Sequence, residues 1–433
     1  MPRAKGAKKK EVTKQASKGM SSAQKERDAF IAKLKKDGMM GDIGKKINFL
    51  STGSWVLNRL IGDGSMENNP GGVPRGYITE IYGDESTGKT TIALHLVKMA
   101  LDAGETVVYA DFEQTLRVQA NYIKNLGIDI DNPNFVPIIP SNLQDGVSVI
   151  GKSIVTLKPA LVVIDSVAAM MPKDTVEGDA EEGQAIGVHA RLVGQFINWV
   201  SKKLQKYDTA LVLINQMRAN IKTSKYDPGP MKITTGGNAL PFFAAVRVKL
   251  RQTSNKEKIK DVSTITGVSE DKLISQEVKV IVEKNKVDIP FKSGPLYIVF
   301  GKGIDNVMSL ITLGVNKRVI KKAGAMLTWN DPDDKLSFSI QGKNNLRKHL
   351  LESPETLNAL QPYLIPTRDE RELENMQNEL ESKGIENLTQ DEKEQLKDLR
   401  KARGESIEDI SQEEELTEDQ EADLDDLNNM VKL

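Results

Sequence analysis

Between about residue 47 and residue 305 the chain alternates short apolar runs with longer stretches whose apolar positions recur every three or four residues. The runs at 77–82, 106–111, 161–165, 210–215 and 246–251 have strand length, and helical stretches separate the first four. This alternation predicts an α/β core, a mostly parallel sheet covered by helices. Ahead of it, Ser21-Ser22-Ala23-Gln24 reads as a capping box. Phe30, Ile31 and Leu34 then form an apolar stripe at helical spacing, and Gly38 and Gly41 end the helix. So short a helix is marginal alone and should dock on something. Residues 1–20 are polar, without periodicity, and are expected to be disordered. Residues 306–366 read as a small α+β unit ending near Pro366. Beyond it, Thr389-x-x-Glu392, Ser411-x-x-Glu414 and Thr417-x-x-Gln420 look like helix starts on a loosely held tail. The expected divisions are therefore 1–46, 47–305, 306–366 and 367–433, with no internal repeat.

Charge sharpens these boundaries. The 433 residues carry a net charge of −1, but residues 1–46 hold 14 Lys/Arg against 5 Asp/Glu, and residues 367–433 hold 9 against 23. A basic arm, a nearly neutral body and an acidic tail fit a protein that handles a polyanion, and equally fit two solvated ends. Cysteine is absent, which excludes disulfides, a cysteine nucleophile, iron–sulfur clusters and thiolate zinc sites. The three histidines, His95, His189 and His349, are scattered and read as structural. There is no apolar run long enough to span a membrane and no secretory h-region, so an intracellular, cytoplasmic protein is expected.

The most specific motif is Gly83-Asp84-Glu85-Ser86-Thr87-Gly88-Lys89-Thr90, a complete G-x-x-x-x-G-K-[ST] between a predicted strand and a helix that opens at Thr91. Its backbone N–H groups and the helix N-terminus suit a phosphate chain. Lys89 would neutralise β- and γ-phosphates, and Thr90 would hold Mg²⁺. The apolar run 161–165 ends in Asp165, which would orient the same Mg²⁺ through water. Two further strand ends lead into Glu113 and Gln216. Ligands of open parallel sheets bind at the carboxyl ends of strands. Glu113 could therefore polarise an attacking water, and Gln216 could sense the γ-phosphate. A solvated loop carboxylate and a plain polar cap are the alternatives for these two residues. Residues 217–237 contain Arg218, Lys222, Lys225 and Lys232 among glycines and prolines, a long basic loop suited to phosphate contacts. Residues 173–187 read as a second, acidic loop.

With these residues in place the chain resembles the RecA-type homologous-recombination recombinases of bacteria and their viruses over roughly residues 47–366. The resemblance rests on Ser51-Thr52-Gly53-Ser54, Glu80-Ile81-Tyr82-Gly83 with the P-loop, Leu126-Gly127-Ile128-Asp129, and Val163-Ile164-Asp165-Ser166-Val167-Ala168-Ala169. It rests further on Ile214-Asn215-Gln216, Thr235-Gly236-Gly237-Asn238-Ala239-Leu240, Lys284-Asn285-Lys286 and Lys322-Ala323-Gly324-Ala325. It implies a P-loop RecA-like core and an ATP- and Mg²⁺-dependent recombinase that forms helical filaments on single-stranded DNA and exchanges strands with homologous duplex. Glu113 matches the family's catalytic glutamate and Gln216 its γ-phosphate switch. Thr91 extends the P-loop set, and Tyr122 falls near the tyrosine that stacks on adenine. Lys284 and Lys286 match the pair that reaches a neighbouring subunit's γ-phosphate. Residues 173–187 and 217–237 align with the two DNA-binding loops. Ile186 and Ile221 would wedge between base triplets, and Arg191 and Arg218 would contact phosphate. Gly187, Asn220, Gly236, Gly237 and Asn238 complete the DNA set. The helix around Phe30 would pack onto the adjacent protomer, and single-strand-binding or mediator proteins are possible partners. The rival readings are a ring helicase of the same superfamily and a filament-forming mediator that barely hydrolyses ATP.

Overall fold

The computed structural model describes residues 22–36, 46–62, 71–176, 182–219, 232–237, 239–262, 269–332, 335–364, 376–377 and 380–402. The chain divides into two units, Met1–Ile47 and Asn48–Leu433. In the first, the helix Ser22–Lys36 carries the expected stripe, and Phe30 is 61% exposed. Ser21, Gly38 and Gly41 lie outside the described residues.

The second unit is organised by a ten-stranded sheet. Its main path runs Gly303–Ile304, Ser293–Val299, Ser269–Asn285, Val246–Val262, Ile78–Gly83, Ala210–Ala219, Leu161–Asp165, Val107–Asp111, Phe135–Ile138. From Val246–Val262 to Phe135–Ile138 every pairing is parallel, and the remaining pairings on this path are antiparallel. The central strands are apolar on both faces because helices cover both. Successive residues point to opposite sides. Val107, Tyr109, Val163, Val212 and Ile214 pack under the helix Lys89–Asp102. Val108, Ala110, Val162, Ile164, Leu211 and Leu213 pack under the helices Leu143–Leu157 and Glu182–Tyr207.

After this sheet, the helices Asn306–Asn316, Lys343–Glu352 and Pro354–Leu364 and a three-stranded antiparallel sheet enclose a core of their own. That core also takes in Val56 from the helix Trp55–Ile61. Further along, the capping box at Thr389 is formed: Glu392 N donates to Thr389 Oγ1 at 3.3 Å, and Thr389 N donates to a Glu392 carboxylate oxygen at 3.0 Å. It opens the helix Gln390–Ala402, whose Leu396 and Leu399 cluster with Leu380 and Leu388. Ser411 and Thr417 lie outside the described residues.

Three readings change. The run at 246–251 is the start of a hairpin of two 17-residue strands. The expected loop 173–187 contains a short helix, Lys173–Val176, and its end is helical, since Glu182–Tyr207 includes positions 186 and 187. Gly183 and Gly187 read locally as breakers. The long amphipathic continuation supplies the helix nucleus. Finally, the long basic loop is shorter than its sequence reads. Met217–Ala219 extend a core strand and pair with Lys232–Thr234, which satisfies backbone groups that a free loop would leave to water.

Candidate active site

The parallel strands deliver Gly83, Asp111, Asp165 and Gln216 to one end of the sheet. The P-loop turns there from its buried strand into the helix Lys89–Asp102. Gly88 stands at the helix N-cap with φ +86°, a conformation that suits glycine. A Cβ there would lie 2.2 Å from Ile298 Cδ1, so the position also needs the missing side chain. Thr87 Oγ1 bonds Asp84 O at 2.8 Å. Lys89 Nζ donates to Gly83 O at 3.2 Å and Asp84 O at 2.7 Å. The ammonium is therefore held against the loop that would wrap a phosphate. Burial lowers its pKa, while Asp165 and Glu113, with the two loop carboxylates, oppose that shift.

Thr90 Oγ1 donates to Asp165 Oδ2 at 2.8 Å, and the buried Tyr109 hydroxyl donates to the same oxygen at 2.8 Å. Burial raises the Asp165 pKa to about 6 against the effect of these two bonds, with the charges of Glu113 and Asp111 adding to the rise. Glu113 approaches from the next strand. Its Oε1 accepts from Ser166 Oγ at 2.5 Å and from Gln216 Nε2 at 3.2 Å. The turn that carries Glu113 is held by Asp111 Oδ2, which accepts from Leu116 N at 2.8 Å. Tyr122 OH lies 3.0 Å from Thr91 Oγ1.

Lys89, Thr90, Thr91, Glu113, Tyr122, Asp165 and Gln216 line one cavity of about 580 Å³, together with Gln276, Ile298, Phe300 and Gly301, and Tyr109 and Ser166 support it from behind through their bonds to Asp165 and Glu113. A hydroxyl and a carboxylate oxygen in contact, beside a lysine seated in a glycine-rich loop, are hard donors of the kind Mg²⁺ takes with phosphate. The residues thus fit a magnesium–nucleotide pair. Of the expected nucleotide-site residues, Glu85 to Thr91, Glu113, Tyr122, Asp165 and Gln216 meet around this cavity, while Gly83 and Asp84 are not among its lining residues. Lys284 and Lys286 do not line this cavity. Lys284 Nζ instead donates to Pro241 O at 2.7 Å and Phe242 O at 2.9 Å, and Lys286 is exposed.

Sequence reasoning missed Ser166, Gln276 and Phe300. Ser166 follows Asp165 directly, so its position was readable. Gln276 Nε2 donates to Ser86 O at 2.7 Å across 190 residues of chain, a contact without local signal.

A second network ties this end of the sheet to the expected DNA loop. Glu80 is 0% exposed on the P-loop strand. Its Oε1 accepts from Asn215 Nδ2 at 2.9 Å and its Oε2 from Arg247 Nε at 2.5 Å. Asn215 Nδ2 also donates to Thr235 O at 2.7 Å, and its Oδ1 accepts from Gln216 N at 2.9 Å. Arg247 lies over the Tyr82 ring, 4.6 Å from its centroid. The Asn215 side-chain amide thus holds both the backbone of Gln216 and that of Thr235, the residue before Gly236. Gly236 and Gly237 have φ of +101° and +71°, and Gly237 approaches Ala190 so closely that a Cβ would meet its Cβ at 3.0 Å.

Of the expected DNA residues, Gly187 and Arg191 are exposed on the helix Glu182–Tyr207. Position 186 lies on that helix and position 218 on the strand Ala210–Ala219, with both side chains outside the described set. Asn220, Ile221 and Asn238 lie outside the described residues. His189 Nε2 lies 3.2 Å from Val167 O, and His95 Nε2 accepts from Ile304 N at 3.0 Å, so both serve the fold. Among the described residues there is no metal-ligand cluster of His, Asp and Glu, and no helix is long and apolar enough to cross a membrane.

A family model described as the RecA N-terminal domain matches residues 28–305. "Protein RecA" of Streptococcus gordonii is 34% identical over 344 residues, covering 78% of this chain and 83% of its own length. "Protein RecA" of Streptomyces coelicolor is 35% identical over 323 residues, covering 74% and 78%. "Protein RecA" of Campylobacter hominis is 36% identical over 317 residues, covering 73% and 82%.

Proposed function

We propose that this chain, which belongs to the RecA family and is an ATP-dependent DNA recombinase, binds and hydrolyses ATP in the cavity at the strand ends and couples that cycle to its hold on single-stranded DNA. The observation that carries this assignment is the meeting of Lys89, Thr90, Asp165, Glu113 and Gln216 around one cavity. The amides of the P-loop, from Gly83 to Thr90, would cradle the phosphates, and Lys89 would leave its carbonyl partners to neutralise them. Thr90 and Asp165 would hold Mg²⁺, which when bound supplies charge neutralisation at the transferred phosphoryl group. Glu113 would accept the proton of the attacking water, with Ser166 orienting the carboxylate. Tyr122 would flank the base. Gln216 bonds Glu113 at 3.2 Å and would exchange that partner for the γ-phosphate. Asn215 and Glu80 would carry the exchange to Thr235, within the 217–237 segment.

Lys284 and Lys286 would complete the nucleotide site of an adjacent protomer in a helical filament, with the helix Ser22–Lys36 as a further contact between subunits. Residues 173–187 and 217–237, with Ile186, Gly187, Arg191, Arg218, Asn220, Ile221, Gly236, Gly237 and Asn238, would face DNA. The backbone would be held while base pairing with homologous duplex reads sequence. The protein would act in the cytoplasm, with mediator or single-strand-binding proteins as further partners.

The test is ATP turnover and joint-molecule formation with homologous DNA. Turnover stimulated by single-stranded DNA, and pairing that needs ATP but shows no unwinding of a forked duplex, are expected. DNA-independent turnover, or processive unwinding, would contradict the assignment.

A further inference from the structure

The helix Glu182–Tyr207 carries a surface that the ATP cycle and the two loops do not use. Trp199 is 45% exposed near its C-terminal end. Its ring is seated against Gly151 on the helix Leu143–Leu157, where a Cβ would come within 2.6 Å of Trp199 Cη2. Glycine inside a helix costs about 1 kcal/mol against alanine. That cost goes into seating an indole which then stays half in water.

Around it lie Gln195, Asn198, Lys202, Lys203 and Lys206, lining a cleft of about 540 Å³. The Lys203 ammonium stands 6.0 Å from the indole centroid. No carboxylate lines the cleft, and none of the three lysines has an ion-pair partner among the described residues. A lysine close to a helix C-terminus gains a little from the helix dipole. That gain explains neither the exposed indole nor the charges further from the end.

The spacing extends the surface toward the loops. Arg191, Gln195, Asn198, Lys202 and Lys206 stand at i, i+4, i+7, i+11 and i+15, a single stripe. At 1.5 Å per residue it is about 22 Å long. It begins at the exposed arginine expected to meet DNA phosphate and ends beside the indole.

We propose that this stripe is a further binding track for single-stranded nucleic acid, with Trp199 stacking on a base and Lys202, Lys203 and Lys206 neutralising phosphates. An aromatic platform within a cationic groove is the arrangement that holds single strands without reading their sequence. The track would hold the stretch of strand that leaves the first loop.

The experiment is a tryptophan-emission titration of the full-length protein with a deoxythymidine oligonucleotide, an abasic oligonucleotide of equal length, and poly-glutamate. The variants are Trp199→Phe and the double variant Lys202→Glu/Lys206→Glu. Saturable quenching by the thymidine strand is expected, with little quenching by the abasic strand or poly-glutamate. The quenching should vanish in Trp199→Phe, and half-saturation should weaken by about tenfold in the lysine variant. Oligonucleotide-stimulated ATP hydrolysis should persist in both variants, showing that the fold and the nucleotide cavity are intact. Quenching retained in Trp199→Phe would overturn the proposal. So would equal quenching by the abasic strand, which would mark self-association, or by poly-glutamate, which would mark a surface for an acidic protein segment. Loss of hydrolysis in both variants would assign the surface to folding or assembly and also overturn it.

Discussion

The nucleotide cavity and the outer face of the helix Glu182–Tyr207 handle the same kind of charge in opposite ways. In the cavity the groups assigned to the chemistry are tied down. Lys89 is bonded to two loop carbonyls, Asp165 to two hydroxyls and Glu113 to Ser166 and Gln216. Along the outer face Lys202, Lys203 and Lys206 stand without carboxylate partners among the described residues. Phosphoryl transfer needs charges fixed before the reaction, in a site that excludes bulk water. Holding a polyanion needs charges free to displace counterions. A sheet whose strands end together supplies the first, and a solvated helix face supplies the second.

Changes in the cavity should be the most severe. Lys89→Ala is expected to lower ATP turnover by about 10³ or more, because nothing else seated in the loop replaces its charge. Steady-state hydrolysis with saturating single-stranded DNA is the measurement. Turnover near that of the wild type would remove the P-loop from the assignment. Glu113→Gln keeps shape and loses the base, so turnover should fall by about 10²–10⁴. ATP-bound DNA complexes should meanwhile outlive those of the wild type, as dissociation kinetics would report. Faster dissociation would take the base role from Glu113.

Stability should divide along the same line. Glu80 is fully buried and shared by Asn215 and Arg247, so Glu80→Gln should cost about 3 kcal/mol by leaving a mostly buried guanidinium short of its counter-charge. The exposed pair Lys98–Asp102 joins two residues one helical turn apart, and Asp102→Asn should cost about 0.5 kcal/mol or less. Denaturant unfolding compares the two, and equal losses would erase the distinction.

The sequence exposed the site's framework more readily than its walls. The P-loop, the 161–165 strand and the strand end before Glu113 were legible because a buried parallel strand is a short apolar run and the chemistry sits at its end, and Gln216 was legible as the end of the apolar run 210–215 although its strand continues to Ala219. The capping box at Thr389 was legible for a similar local reason. Gln276, Ile298 and Phe300 were not, because they reach the cavity from two antiparallel strands and the turn after them, far downstream of the P-loop in sequence. The helical state of positions 182–187 was hidden by two glycines, and the stem Lys232–Thr234 by its basic, loop-like composition.

A smaller effect comes from His95. Its pKa is lowered to about 4 by burial, with the nearby Lys98 charge adding to the shift. Its neutral ring accepts from Ile304 N on the edge strand that follows the cavity-lining Gly301. The folded pKa lies below the ordinary 6.5, so the unfolded chain takes up the proton first. The stability contributed by the neutral ring is full above pH 6.5 and is lost as pH falls from 6.5 toward 4, by at most about 3 kcal/mol. Thermal unfolding across that window should show a shallower pH slope in His95→Gln than in the wild type. Parallel slopes would show that another group governs this range.

The division between a screened surface and an unscreened cavity can be read in a single titration. Wild-type ATP turnover would be followed against single-stranded DNA over a series of salt concentrations. Salt should raise the DNA concentration needed for half-stimulation steeply, through counterion release, and leave the plateau rate at saturating DNA nearly unchanged, because buried charges are screened little. A plateau that falls in step with the half-stimulation shift would contradict the account, placing the salt-sensitive charges inside the chemistry itself.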